Sequence, residues 1–147
     1  MTVKTGPDAI GRVITALATP FLPDGSLDLP GAAVLARHVI ASGSDGLVLG
    51  GTTGESPTLR DTELWDLVAA VREAVPDGAR ITVGTGTNDT SRSAERTVRA
   101  TEAGADGVLV VTPYYNRPSQ AGLVAHFTAV ASATDLPVLL YDIPSRT

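Results

Sequence analysis

Gly43-Ser44-Asp45-Gly46-Leu47-Val48-Leu49 recurs later in the chain as Gly104-Ala105-Asp106-Gly107-Val108-Leu109-Val110, and a helix-like stretch precedes each copy. Repetition is weighed first because a repeated supersecondary unit organises a whole fold. In both copies the leading Gly suits the left-handed residue that follows a helix. The run after Asp-Gly is short and aliphatic, as in a strand buried on both faces. The unit reads helix, Gly turn, strand.

Three further runs follow the same grammar: Val13–Ala18, Ile81–Gly84 and Pro137–Tyr141, which with the two repeat strands make five. Between them lie amphipathic segments. Leu64, Leu67, Val68, Val71 and Val75 fall on one helical stripe. Leu123, Phe127, Val130 and Ala131 form another, with Ser119 as N-cap. Ala32, Leu35, Ala36, Val39 and Ile40 form a third, after Pro30 near the first turn. Thr90 to Ala103 is a helix by position, with Ala94 and Val98 as its only clear apolar pair.

Strands alternating with such helices pair in parallel through right-handed crossovers, so the class is α/β. An open doubly wound sheet and an eight-stranded barrel compete. After every strand the chain turns polar: Thr19-Pro20, Gly50–Ser56, Thr85–Asn88, Thr112–Asn116 and Asp142–Arg146. Five polar loops at the carboxyl ends suit a barrel, where they converge on one site, better than a sheet with a single switch point. A full barrel takes about 250 residues, so the 147 residues here amount to a little over half of one: about five strands and four helices of a (β/α)8 TIM barrel over residues 11–147, after a flexible tail at 1–10.

Composition narrows the function classes. A hydrophobic fraction of 43% against 18% charged is that of a folded domain. The net charge of −5 leaves no basic stripe for nucleic acid or an anionic membrane. Cysteine is absent, and His38 and His126 stand far apart, so no metal site is expected. No cofactor is expected either: Gly84-Thr85-Gly86 lacks the third Gly of a dinucleotide fingerprint, and Gly50–Ser56 lacks the Lys of a P-loop. No signal peptide is legible, which points to the cytoplasm. Small molecules remain as the expected partners.

The loops carry the chemistry. Gly50-Gly51-Thr52-Thr53-Gly54-Glu55-Ser56 offers backbone amides and two adjacent hydroxyls to a ligand, although an ordinary Gly-rich turn has the same look. All three tyrosines, Tyr114, Tyr115 and Tyr141, fall at strand ends. A phenol in a chain with a Thr hydroxyl can pass a proton, or it can simply pack at a rim. Arg146 closes the last loop, where a guanidinium could hold a carboxylate.

Taken together, Gly51–Ser56, Thr112-Pro113-Tyr114-Tyr115-Asn116-Arg117-Pro118-Ser119-Gln120 and Tyr141-Asp142-Ile143-Pro144-Ser145-Arg146-Thr147 resemble the dihydrodipicolinate synthase family of pyruvate-dependent class I aldolases. The resemblance implies condensation of pyruvate with L-aspartate 4-semialdehyde through a Schiff base, on the route to diaminopimelate and lysine, in tetramers of tight dimers. It implies a proton relay of Thr52, Tyr141 and Tyr115, the last reaching into a neighbour's site. It makes Thr53 a ligand of the pyruvate carboxylate and Arg146 the clamp for the aldehyde substrate's carboxylate.

Sialic acid lyases of the family typically read Ser-Thr at Thr52-Thr53 and lack the arginine matching Arg146, which favours the synthase over another keto-acid aldolase. Asp142 departs from the more usual Asn. The family's Schiff-base lysine lies on a sixth strand, past Thr147, and the only lysine here is Lys4. Two expectations follow: the N-terminal part of such an enzyme, or a non-catalytic half-barrel that associates with itself or a partner.

Overall fold

The computed structural model describes residues 7–147. A short helix, α1 (Pro7–Ile10), precedes four strand-helix units and a last strand. These are β1 (Ile14–Ala16), α2 (Leu29–Ala41), β2 (Gly46–Leu49), α3 (Asp61–Ala74), β3 (Arg80–Gly84), α4 (Thr90–Glu102), β4 (Gly107–Val111), α5 (Gln120–Ala131) and β5 (Val138–Tyr141). The sheet runs β1-β2-β3-β4-β5 with every pair parallel. It is the half-barrel expected from the sequence, α/β in class, with a strand for each of the five runs. No helix among the described residues is long and apolar enough to cross a membrane.

The repeat acts as one device used twice. Gly43 and Gly104 take φ +105° and +75° just past α2 and α4, where a side chain would strain. The Asp after each turn reaches back to the neighbouring strand: Asp45 accepts from the amides of Arg12 and Val13, both at 2.9 Å, and Asp106 accepts from that of Ile81 at 2.9 Å. The Gly after each Asp makes room below the sheet. A Cβ at Gly46 would lie 3.1 Å from the Ile10 carbonyl oxygen, and one at Gly107 would lie 2.9 Å from Ile10 Cγ2. Ile10 thus seats under the amino end of the sheet. Within the stretch expected as a tail through residue 10, Pro7–Ile10 is helical and Ala9 is buried. The rest of that tail, with Lys4, lies outside the described residues.

Side chains alternate along each strand. Leu47, Leu49, Ile81, Val83, Val108 and Val110 form the outer layer, wholly buried against Leu64, Leu67, Val68 and Val71 of α3, Ala32 and Ala36 of α2, and Val130 of α5. The helices start on side-chain caps from Asp28, Asp89 and Ser119.

Helix α4 departs from its apolar reading. It buries Ser93, Arg96, Thr97 and Ala100, whereas Val98 is exposed. The Thr97 hydroxyl donates to Thr85 Oγ1 at 2.8 Å, and Ser93 Oγ accepts from the Thr87 amide at 2.8 Å. Hydroxyl pairs at the end of β3 satisfy Ser93 and Thr97 on this face, so hydrophobic periodicity did not reveal it.

Candidate active site

The loops after the five strands meet at the carboxyl end of the sheet. There Gly50, Gly51, Thr52, Ser56, Gly84, Gly86, Leu109, Val111 and Tyr141 line a cleft of about 20 Å³. Close backbone approach builds it. Gly50 takes φ +63°, and a Cβ on it would lie 2.6 Å from Leu64 Cδ1. A Cβ on Gly84 would collide with the Gly50 carbonyl, and one on Gly86 with the backbone of Val110 and Val111. The Gly84-Thr85-Gly86 run therefore serves close packing of loops.

Thr52 and Tyr141 line the same cleft from β2 and β5, two of the five expected site residues brought together. Thr53, Tyr115 and Arg146 stand on the same rim, exposed, outside the cleft lining. Tyr115 is 90% exposed and its backbone lies at φ +68°. Glu55 and Arg117 also hold positive φ, so the three non-Gly residues in the left-handed region among the described residues all belong to these loops. Such conformations persist only where the surroundings impose them. Asn116, next to Tyr115, donates from Nδ2 to the Asn88 carbonyl at 2.9 Å and ties the β4 loop to the β3 loop.

Two anchors escaped the sequence reading as functional residues. Buried Thr19 donates its hydroxyl to the Gly54 carbonyl at 2.8 Å, which fixes the loop carrying Thr52 and Thr53. Asp142 Oδ1 accepts from the hydroxyls of Thr112 at 3.3 Å and Thr147 at 3.0 Å, which clasps the β4 loop to the turn bearing Arg146. Position after Tyr141 was the only available signal for Asp142. Its carboxylate accepts where an amide oxygen would also serve.

Beside the rim, Arg96 is buried on α4 with Nε 3.4 Å from Asp61 Oδ1, while Arg92 reaches the same oxygen at 3.3 Å. Burial lowers the Arg96 pKa from its ordinary value; Asp61 acts against that shift and Arg92 adds to it. Arg96 Nε and one terminal nitrogen find no hydrogen-bond partner among the described residues. A larger cavity of about 560 Å³, lined by Arg12, Ser44, Asp45 and Arg80, opens at the opposite, amino end of the strands, away from these loops. No group of three or more metal-ligating side chains occurs among the described residues.

What the rim can do chemically follows from its groups: hydroxyls and a phenol able to hand on a proton, Gly-opened amides, and a guanidinium for a carboxylate. Residues 9–147 match the Dihydrodipicolinate synthetase family. The chain is 58% identical over 147 residues to 4-hydroxy-tetrahydrodipicolinate synthase of Acidothermus cellulolyticus, covering 100% of this chain and 48% of that protein. It superposes on the dihydrodipicolinate synthase of Cyanidioschyzon merolae with lysine bound, with TM-score 0.91, 47% identity, and coverage of 94% of this chain and 47% of that one. The chloride-inhibited enzyme of Acinetobacter baumannii complexed with pyruvate gives TM-score 0.89 and 40% identity, over 92% of this chain and 46% of that one. The chain spans about half the length of the relatives it matches.

Proposed function

The chain belongs to the dihydrodipicolinate synthetase family, and on that premise we propose that it supplies the proton relay and carboxylate contacts of a cytoplasmic 4-hydroxy-tetrahydrodipicolinate synthase. The lyase condenses pyruvate with L-aspartate 4-semialdehyde. A lysine outside these 147 residues attacks the pyruvate carbonyl, and loss of water forms the Schiff base. Tyr141 stands beside it and takes the proton released when the pyruvate methyl becomes the nucleophilic enamine carbon. Thr52 passes that proton to Tyr115, which completes the relay in a neighbouring subunit of a tetramer built from tight dimers. Thr53 holds the pyruvate carboxylate, and Arg146 the carboxylate of the semialdehyde.

The observation that carries this reading is the placement of Thr52 and Tyr141 on one cleft at the carboxyl end of the sheet. The outward presentation of Tyr115 supports its part in a neighbour's site. The test is a chimera that joins this chain to the segment that follows the match in the A. cellulolyticus relative, assayed for condensation of pyruvate with L-aspartate 4-semialdehyde. The chimera is expected to turn over, and Tyr141→Phe within it to lose a factor of about 10² to 10⁴ in kcat, the usual weight of a positioned proton donor. A folded chimera without turnover, or one indifferent to Tyr141→Phe, counts against the reading.

A further inference from the structure

Tyr115 holds a strained backbone that its own side chain does nothing to secure. It is 90% exposed, yet its φ is +68°. A left-handed conformation at a non-Gly residue persists only where the surroundings impose it. The Asn116 amide donates to the Tyr114 carbonyl at 2.8 Å, so Tyr115 is the centre of a three-residue turn. A positive φ at that centre marks the rarer, strained form of the γ-turn. Arg117 follows at φ +46°, which continues the tight course of the chain.

What holds this turn is the Asn116 side chain. Its Nδ2 donates to the Asn88 carbonyl at 2.9 Å. Among the described residues, this is the only hydrogen bond that ties residues 114–117 to another segment. The acceptor is itself fixed. Asn88 lies between Thr87 and Asp89, just before α4, and both neighbours are pinned. Buried Thr87 donates its amide to Ser93 Oγ at 2.8 Å, and Ser93 Oγ donates to the Asp89 carbonyl at 2.7 Å. The Asp89 side chain caps α4 by accepting from the Arg92 amide at 2.9 Å. The Asn88 carbonyl is thus a firm point against which the exposed β4 loop is registered. A primary amide suits the task, because a carboxylate of the same shape has no proton to donate to a carbonyl.

We propose that Asn116 is a positioning residue: docked on the Asn88 carbonyl, it holds Tyr115 in its left-handed turn and so sets where the phenol is presented. This role rests on the relay reading of Tyr115 and deepens it by naming the group that aims the phenol. A misplacement of about 1 Å in a reacting group can cost on the order of 10²-fold in rate. Loss of the tie therefore acts on kcat, whereas pyruvate binding, assigned to Thr53, is spared.

Asn116 is exposed, so Asn116→Ala and Asn116→Asp are expected to keep the parent's circular dichroism and melting temperature. In the 147-residue chain, the carbon-13 shifts of Tyr115 Cα and Cβ report its backbone conformation. Both variants should move them from left-handed toward extended values, and shifts that stay left-handed overturn the proposal. In the chimera described above, each variant is expected to lower kcat by about tenfold or more, with KM for pyruvate within about twofold. In a Tyr115→Phe background, Asn116→Ala should add less than about a twofold loss, because both changes act through one phenol. Unchanged kcat, a loss confined to KM, or a full loss that persists beside Tyr115→Phe each overturn the role. An unsubstituted chimera that does not turn over counts against the catalytic reading alone, and the carbon-13 shifts then decide whether Asn116 sets the Tyr115 backbone.

Discussion

Asp106 and Arg72 form a 2.7 Å ion pair at the amino end of the sheet, although Asp106 precedes β4 and Arg72 lies in the last turn of α3. Arg80 reaches the other carboxylate oxygen at 3.1 Å, and the Ile81 amide donates at 2.9 Å. Burial would raise the Asp106 pKa, but the Arg72 hydrogen bond, the Ile81 amide and Arg80 together lower it from 3.8. A carboxylate favoured in the fold contributes stability at pH above 3.8, and that contribution is lost as pH falls through the lowered folded value. Asp106→Ala is expected to destabilise by about 1–3 kcal/mol at pH 7, by stranding partly buried donors. Urea midpoints at pH 7 and pH 3 check this, and the variant's deficit should shrink at the lower pH.

His126 titrates with the same sign for a different reason. It is buried on α5, with Nδ1 2.9 Å from Thr90 Oγ1 and Nε2 without a partner among the described residues, and desolvation lowers its pKa from 6.5. The fold favours neutral imidazole, so stability is full above pH 6.5 and falls as pH drops through 6.5 toward the folded value. His126→Gln, which keeps a hydrogen-bonding group for Thr90 but does not titrate, should flatten the melting temperature between pH 7.5 and 5. An unchanged slope would show that another group sets it.

Arg96 should be dispensable for stability. Its guanidinium is buried with two nitrogens that make no hydrogen bond among the described residues, Nε having only a 3.4 Å ion pair with Asp61, while Asp61 is half-exposed and keeps Arg92. Replacing a poorly satisfied buried charge with an apolar side chain is often neutral or stabilising by about 1–4 kcal/mol. Arg96→Met is accordingly expected to hold or raise the denaturation midpoint; a clear fall would reveal a role that the ion pair does not account for.

Gly50→Ala combines a left-handed backbone with a Cβ 2.6 Å from Leu64 Cδ1. Strain and overpacking each cost about 1–3 kcal/mol, so the melting temperature should fall well below that of Gly78→Ala, where a Cβ meets nothing within 4 Å. Equal effects at the two sites would contradict close packing at the cleft.

Borohydride with pyruvate should leave the mass of the isolated chain unchanged, since the only lysine is Lys4. A stable adduct by mass spectrometry would overturn the assignment of the nucleophile to another segment.

Local chemistry was enough to announce most of the architecture. The Gly-Ser-Asp-Gly and Gly-Ala-Asp-Gly repeat, the Leu64–Val75 stripe and the Ser119 cap each act over a few residues, so strand and helix alternation is written in short windows. The loops bearing Thr52, Tyr115, Tyr141 and Arg146 were legible for the same reason, as polar segments after apolar runs. Tertiary structure decided what those windows cannot contain. The buried face of α4 is polar because Thr85 and Thr87 of another segment satisfy Ser93 and Thr97. Gly46 is needed because the Arg80 carbonyl would lie 2.8 Å from a Cβ there, Gly107 because Ile10 Cγ2 would lie 2.9 Å from one, and Asp142 matters because Thr112 at the end of the neighbouring strand donates to it. Each of these depends on groups distant in sequence meeting at hydrogen-bond or van der Waals range, and only the closed packing of the sheet and helices sets which groups meet.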